Sequence, residues 1–222
     1  MSAAYTLFDV NKPEASGSRI AGAVIGVVTN NQDPEGLGRV KLKFPWLSDE
    51  MESNWARVTS PMAGKEMGFY FLPEVNDEVL VVFEHGDMRF PYVLGALWNG
   101  QEKPPAKNND GKNHVRMIKS RSGHIVRLTD EAGKEKIEII DKSGNNKLVI
   151  DTTSNTLTIS TDKDIKLSAE KGEITLTAQT IVLDAKSKVE IKSVGVKLEA
   201  QATMDIKANA TMNINGGVVN IN

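Results

Sequence analysis

The sequence contains no cysteine. Disulfides and thiol chemistry are therefore excluded, and the absence fits folding in a reducing cytoplasm. Long apolar runs are missing as well: the most apolar stretch, AGAVIGVV at 21–28, is far shorter than the ~20 residues a membrane-spanning helix needs. The start, MSAAYTLFDV, lacks a basic stretch followed by an apolar core, so no signal peptide is expected and synthesis in the cytoplasm follows. An excess of positive charge is absent too. The first hundred residues carry eight Lys or Arg against thirteen Asp or Glu, and residues 101–222 carry nineteen against sixteen. Neither half has the basic balance of a nucleic-acid footprint. Two further absences divide the chain. All twelve aromatic residues lie between Tyr5 and Trp98, and all eight prolines lie between Pro13 and Pro105, so the second half is built from different material than the first.

The first part reads as short strands. After a polar arm over 1–19, AVIGVVTN is followed by the turn-rich NNQDPEGLG and by RVKLKFPWL, in which Val40, Leu42 and Phe44 alternate with Arg39, Lys41 and Lys43. Further strands are expected in WARVTSP at 55–61, GFYFLP at 68–73, DEVLVVFEHG at 77–86 and PYVLGALWNG at 91–100. No segment has convincing helical periodicity. Several short aromatic-rich strands within 20–100 point to a small closed barrel, because closure removes exposed sheet edges. Residues 101–114, with a Pro pair and many Asn, have linker composition. VRMIKS, HIVRLTD and KIEIIDKSGNNKLVIDTTSNTLTIS then read as strands joined by hairpin turns at G-N-N and T-S-N-T.

From Leu157 the pattern becomes a true repeat. Apolar pairs separated by one residue begin at 157, 165, 174, 181, 189, 196, 204, 212 and 219, a period of seven to nine residues. Two alternate apolar positions per unit is the signature of a strand with one buried face. One chain gains too little from so thin a stripe to offset the backbone entropy of ordering it, and a lone ribbon leaves its backbone groups unpaired on both edges. A monomeric solenoid is the alternative; such coils make a wider core than a period near eight with two inward residues leaves, so interwoven chains fit better. The pattern therefore predicts three chains wrapped into a three-sided β-prism that spans 115–222, with Leu157, Ile159, Ile165, Leu167, Ile174, Leu176, Ile181, Leu183, Val189, Ile191, Val196, Leu198, Met204, Ile206, Met212 and Ile214 as its core.

DPEGLGRVKLKFPWL, NWARVTSPMAG, GFYFLPEVNDEVLVVFEHGD and RFPYVLGALWNG resemble, in that order, the oligonucleotide/oligosaccharide-binding (OB) fold domain of the spikes of contractile injection machines. That family includes phage baseplate assembly protein V, the T4-type tail spike and the VgrG proteins of type VI secretion. The resemblance implies an all-β chain, an OB barrel followed by an intertwined trimeric β-helix, set in the baseplate of a phage-tail-like particle and aimed at a target membrane. No lysozyme-like domain interrupts the chain, so cell-wall cleavage is not implied. The hub domain fused to VgrG proteins is missing, so a separate hub protein is expected at the barrel end. The last histidine is His124, so the His-x-His iron site of some short phage spikes is lacking. A PAAR-type cap is expected on Val219, Ile221 and Asn222, with effectors as its cargo.

No catalytic residue, cofactor or metal is expected. His85 lies beside Glu84 and Asp87 in FEHGD without a second His or Ser constellation, which reads as a loop rather than an acid–base site. His114 and His124 have no cysteine or paired carboxylate at ligand spacing. Asp162 and Asp164 lack the further ligands of a Ca²⁺ site, and GLG at 36–38 precedes a strand rather than a helix. Two alternatives come from other classes. One is a trimeric receptor-binding fibre, against which stands the repeat still running in GGVVNIN without an aromatic head. The other is an OB nucleic-acid module stacking bases on Trp46, Trp55 and Phe69, against which stands the acidic balance of the first hundred residues.

Overall fold

A computed structural model describes residues 19–221; the expected polar arm, apart from Arg19, and Asn222 lie outside the described residues. The chain divides into two compact units at Asp164/Ile165.

The first unit holds two principal sheets. In the barrel, β1 (Val24–Asn30), β2 (Lys41–Phe44), β3 (Ser48–Glu52), β4 (Arg57–Val58), β7 (Glu78–Phe83) and β8 (Pro91–Ala96) form one sheet in the order β3-β2-β1-β7-β8-β4. Pairing is antiparallel except where β4 runs parallel to β8. An antiparallel bridge between Val40 and Ala56 ties the residue before β4 back beside β2, and so brings the far ends of the sheet together. The core is Val28, Val40, Leu42, Phe44, Ala56, Val79, Val81, Phe83 and Val93. These are the alternate positions of each strand, as the two-residue period requires. Phe44 and Phe83 meet at a ring separation of 5.5 Å, tilted by 59°, a favourable aromatic geometry. Gly26 lets β1 approach closely, because a Cβ there would lie 3.2 Å from Val81 and 3.3 Å from Phe44.

A two-strand hairpin, β5 (Ala63–Gly64) and β6 (Met67–Gly68), stands apart from the barrel sheet. The expected strand over 68–73 is not formed beyond Gly68: Phe69, Tyr70 and Phe71 run outside any strand, with more than half their surface exposed. Aromatic composition alone favours a strand. Here Gly68 adopts φ +148°, and a Cβ at that position would fall 2.4 Å from the Met62 carbonyl oxygen, so the chain leaves the ladder at this point.

The second sheet is an antiparallel meander of β9 (Val115–Lys119), β10 (Ile125–Thr129), β11 (Lys136–Ile140), β12 (Lys147–Asp151) and β13 (Thr156–Ser160), paired in chain order. G-N-N and T-S-N-T fall in the turns after β11 and β12, as expected. Asp141 shapes the first of these turns, accepting hydrogen bonds from the Ser143 hydroxyl (2.7 Å) and the Asn146 side-chain amide (2.9 Å). Arg121, in the β9–β10 turn, reaches Glu74 of the barrel at 2.9 Å.

Residues 165–221 form no strand among those described. Their one backbone–backbone hydrogen bond, among the described residues, runs from the Gly172 N–H to the Ala169 carbonyl. The chain turns at 170–172, 179, 186–187, 194, 201–202, 209–210 and 217–218. Each interval between these turns carries one apolar pair of the repeat. The two-residue apolar period and the turn spacing are thus the same unit seen twice.

Candidate functional site

Among the described residues, the histidines and the candidate Ca²⁺ aspartates stand apart from one another. His85 sits in a 3-10 turn at Glu84–Gly86 with φ +50°. His124 accepts a hydrogen bond from the Lys142 N–H at 3.2 Å, and His114 lies 3.7 Å from Asp110. Asp162 accepts a hydrogen bond from the Asn145 side chain. Among the described residues, no group of three or more His, Cys, Asp or Glu is placed to hold a metal ion.

The barrel loop that carries the GLG segment is instead built for rigidity. Asp33, at its start, accepts N–H hydrogen bonds from Glu35 (3.1 Å) and Leu37 (3.0 Å), and both oxygens take the Arg39 guanidinium at 2.8 Å. The Arg39 hydrogen bonds, seconded by the backbone donors, hold the Asp33 carboxyl well below the usual carboxylate range. One carboxylate thereby closes a seven-residue loop and presents Leu37 outward, 65% exposed. Leu37 joins Met62, Met67, Phe69, Tyr70 and Leu72 around a groove of about 560 Å³. Of the three residues weighed as stacking platforms, Phe69 lines this groove, Trp46 packs on Phe44 at 5.9 Å, and Trp55 is covered by Arg39 and Lys41 at 6.0 and 5.7 Å. Those two cations are already paired with Asp33 and Glu52.

The β-rich remainder also exposes apolar side chains along its length. On the meander, register places Ile118 against Val126, Val126 against Ile139, Ile139 against Leu148, and Leu148 against Ile159. It also places Leu128 against Ile137, Ile137 against Ile150, and Ile150 against Leu157. One face is therefore aliphatic from β10 to β13, continued on β9 by Ile118 and bordered there by Arg116, with Ile139 52% and Ile118 53% exposed. The opposite face carries Arg127 across from Glu138, a residue only 5% exposed whose carboxylate takes the Arg127 Nε–H at 2.7 Å. Sequence reading identified these strands but assigned only Leu157 and Ile159 to a core. The Ile137/Ile139 and Leu148/Ile150 alternation is the signal that marks the rest.

The remaining fourteen expected core residues, Ile165 through Ile214, stand one pair per interval of the repeat unit and are between 46% (Met212) and 71% (Leu183) exposed. Val219 and Ile221, expected at a capped tip, are exposed as well; Asn222 lies outside the described residues. An isolated protein rarely leaves apolar surface of this extent uncovered. Nor does extended backbone persist without hydrogen-bond partners.

Residues 24–98 match the type VI secretion system/phage-baseplate injector OB domain. The fold is accordingly an OB barrel followed by a β-rich remainder. The chain is 32% identical over 134 residues to the actin cross-linking toxin VgrG1 of Vibrio cholerae, a stretch covering 57% of this chain and 12% of that protein. It is equally similar to the type VI secretion system spike protein VgrG3 of Vibrio cholerae (57% and 13%), and 30% identical over 123 residues to spike protein VgrG1a of Pseudomonas aeruginosa (50% and 19%). The resemblance to contractile-injection spikes carried by the four barrel motifs is borne out by these matches. The chain spans less than a fifth of the length of each relative. Among the described residues, no helix is long and apolar enough to cross a membrane.

Proposed function

We propose that this chain is the structural central spike of a contractile injection machine, working as a homotrimer without catalysis. The observation that carries this reading is the ribbon of 165–221, which combines an apolar stripe on one side with nearly bare backbone on both edges. Three copies wrapped around one another remove both deficits at once. Each unit's strand hydrogen-bonds to strands of the other two copies, and the paired apolar residues meet on a shared axis. The aliphatic face of β9–β13 is covered in the same way, by two further copies of itself. A column of fully paired strands is stiff, and stiffness is what transmits the thrust of a contracting sheath.

The barrel end docks on the baseplate hub, with the groove around Phe69 and Met67 as an apolar seat. The far end seats a PAAR-type tip protein at Val219 and Ile221 and carries effectors as cargo. The assembled particle drives the column through the target envelope, so the membrane is met only during injection. Light scattering of the purified chain tests the assembly. The expected mass is about 73 kDa, three times the 24.2 kDa of one chain; a 24 kDa particle contradicts it.

A further inference from the structure

The outward side chains of the repeat carry a second pattern. Aligned on their apolar pairs, the units place two outward residues in fixed columns, one between the apolar pair and one just after it. From Glu190 the first column reads Glu190, Lys197, Asp205; the second reads Asp184, Lys192, Glu199, Lys207. In both columns the sign reverses at every step. Within each unit the two columns also oppose, as in Glu190/Lys192, Lys197/Glu199 and Asp205/Lys207.

Resting on the trimeric reading above, the geometry of interwoven chains gives this alternation a physical meaning. Each chain crosses one face of the prism per unit, rises by one strand spacing, and passes to the next face. By threefold symmetry, the strand directly above a given unit is the following unit of a neighbouring copy, running parallel to it at about 4.8 Å. We propose that the two charged columns are the register device between copies: Glu190 pairs with Lys197 of a neighbouring copy, Lys197 with Asp205, Asp184 with Lys192, Lys192 with Glu199, and Glu199 with Lys207. Opposite charges directly across neighbouring strands stabilise the pairing, and like charges there oppose it.

Other registers lose this match. A slip of one further unit sets Glu190 against Asp205 and Lys192 against Lys207, like against like. A single chain coiling on itself over three faces sets each unit under the third one after it, where Glu190 meets Asn213 and Lys192 meets Asn215. In the lone chain the charges fall back within their own unit: Lys188 and Lys192 both close on Glu190, and Lys197 closes on Glu199. Lys192 and Lys197 nevertheless keep 83% of their side-chain surface exposed, so both remain available to a neighbour.

The chain has no cysteine, which makes cross-linking clean. In the full chain, Glu190→Cys with Lys197→Cys sets the two thiols on neighbouring strands of different copies, at a Cα separation of about 4.8 Å, inside the 4.4–6.8 Å a disulfide spans. Mild oxidation is expected to give covalent trimers on a non-reducing gel. Glu190→Cys with Asp205→Cys, two strands apart, is expected to stay as single chains. As a second measurement, Lys197→Glu should lower the trimer's melting temperature at low salt. Adding Glu190→Lys and Asp205→Lys should recover part of the loss, because it re-forms the column between copies while leaving like charges within each unit, and the differences should vanish at 1 M salt, where screening acts within about 3 Å. Links at 190/205 but not 190/197, or an unchanged melting temperature for Lys197→Glu, in a protein that still weighs 73 kDa, overturn the register and leave the trimer standing. A 24 kDa particle overturns the trimer and the register together.

Discussion

Leu183→Asp is expected to leave the protein a 24.2 kDa monomer with its barrel intact. In the lone chain Leu183 is 71% exposed, so nothing in a single copy resists the change. In three interwoven copies the same position lines the axis, and the substitution sets three carboxylates around one point with no cation in reach. Removing each charge from water costs several kcal/mol, and mutual repulsion adds to it. Light scattering reads the loss of assembly. Near-ultraviolet circular dichroism reads the barrel separately, because every aromatic residue lies at or before Trp98. Lys171→Ala, in the exposed turn at 170–172, is the control and should change stability by no more than about 0.5 kcal/mol. A Leu183→Asp protein that remains a trimer of unchanged thermal stability would show that this position does not face the axis.

The opposite separation is expected from Leu42→Ala. Leu42 is completely buried in β2, among Val28, Val40, Val79 and Val81. Truncating it removes transfer free energy and leaves a cavity, for a cost of roughly 2–5 kcal/mol. For a domain of this size, each kcal/mol lowers the melting temperature by about 4–8 °C, so the aromatic circular dichroism signal should melt on the order of 10 °C earlier or more. The particle should still weigh three chains, because the apolar stripe of 165–214 is untouched. If Leu42→Ala also dissolved the trimer, the barrel would be carrying assembly that this account assigns to the repeat.

The parts of the fold legible in the sequence are those governed by local periodicity. Alternation placed Val40, Leu42 and Phe44 on one side of β2, and the two-in-eight spacing located every apolar pair of the ribbon, now seen with a turn between successive pairs. Asn and Gly clusters marked the hairpin turns of the meander. Two features depend on side-chain geometry that no apolar periodicity encodes, and so left little trace in the sequence pattern. The Asp33 clamp draws donors from Glu35, Leu37 and Arg39 onto one carboxylate, and register sets Arg127 opposite the buried Glu138. GFYFLP misled for a different reason. Its aromatics favour a pleated, half-buried surface, yet Phe69, Tyr70 and Phe71 remain outside the barrel core on an exposed apolar patch. The residues most telling for function were thus apolar groups that a single copy does not bury.

Amide hydrogen exchange across 174–214 in the purified protein tests the central claim most directly. In a lone ribbon these amides have almost no intrachain partners and exchange at the rate of unstructured peptide. Interwoven copies pair nearly all of them, so the account predicts slow exchange through every unit, with faster exchange only at the turns near 179, 186–187, 194, 201–202 and 209–210. Uniformly fast exchange over this stretch, in a protein whose barrel amides are protected, would contradict it.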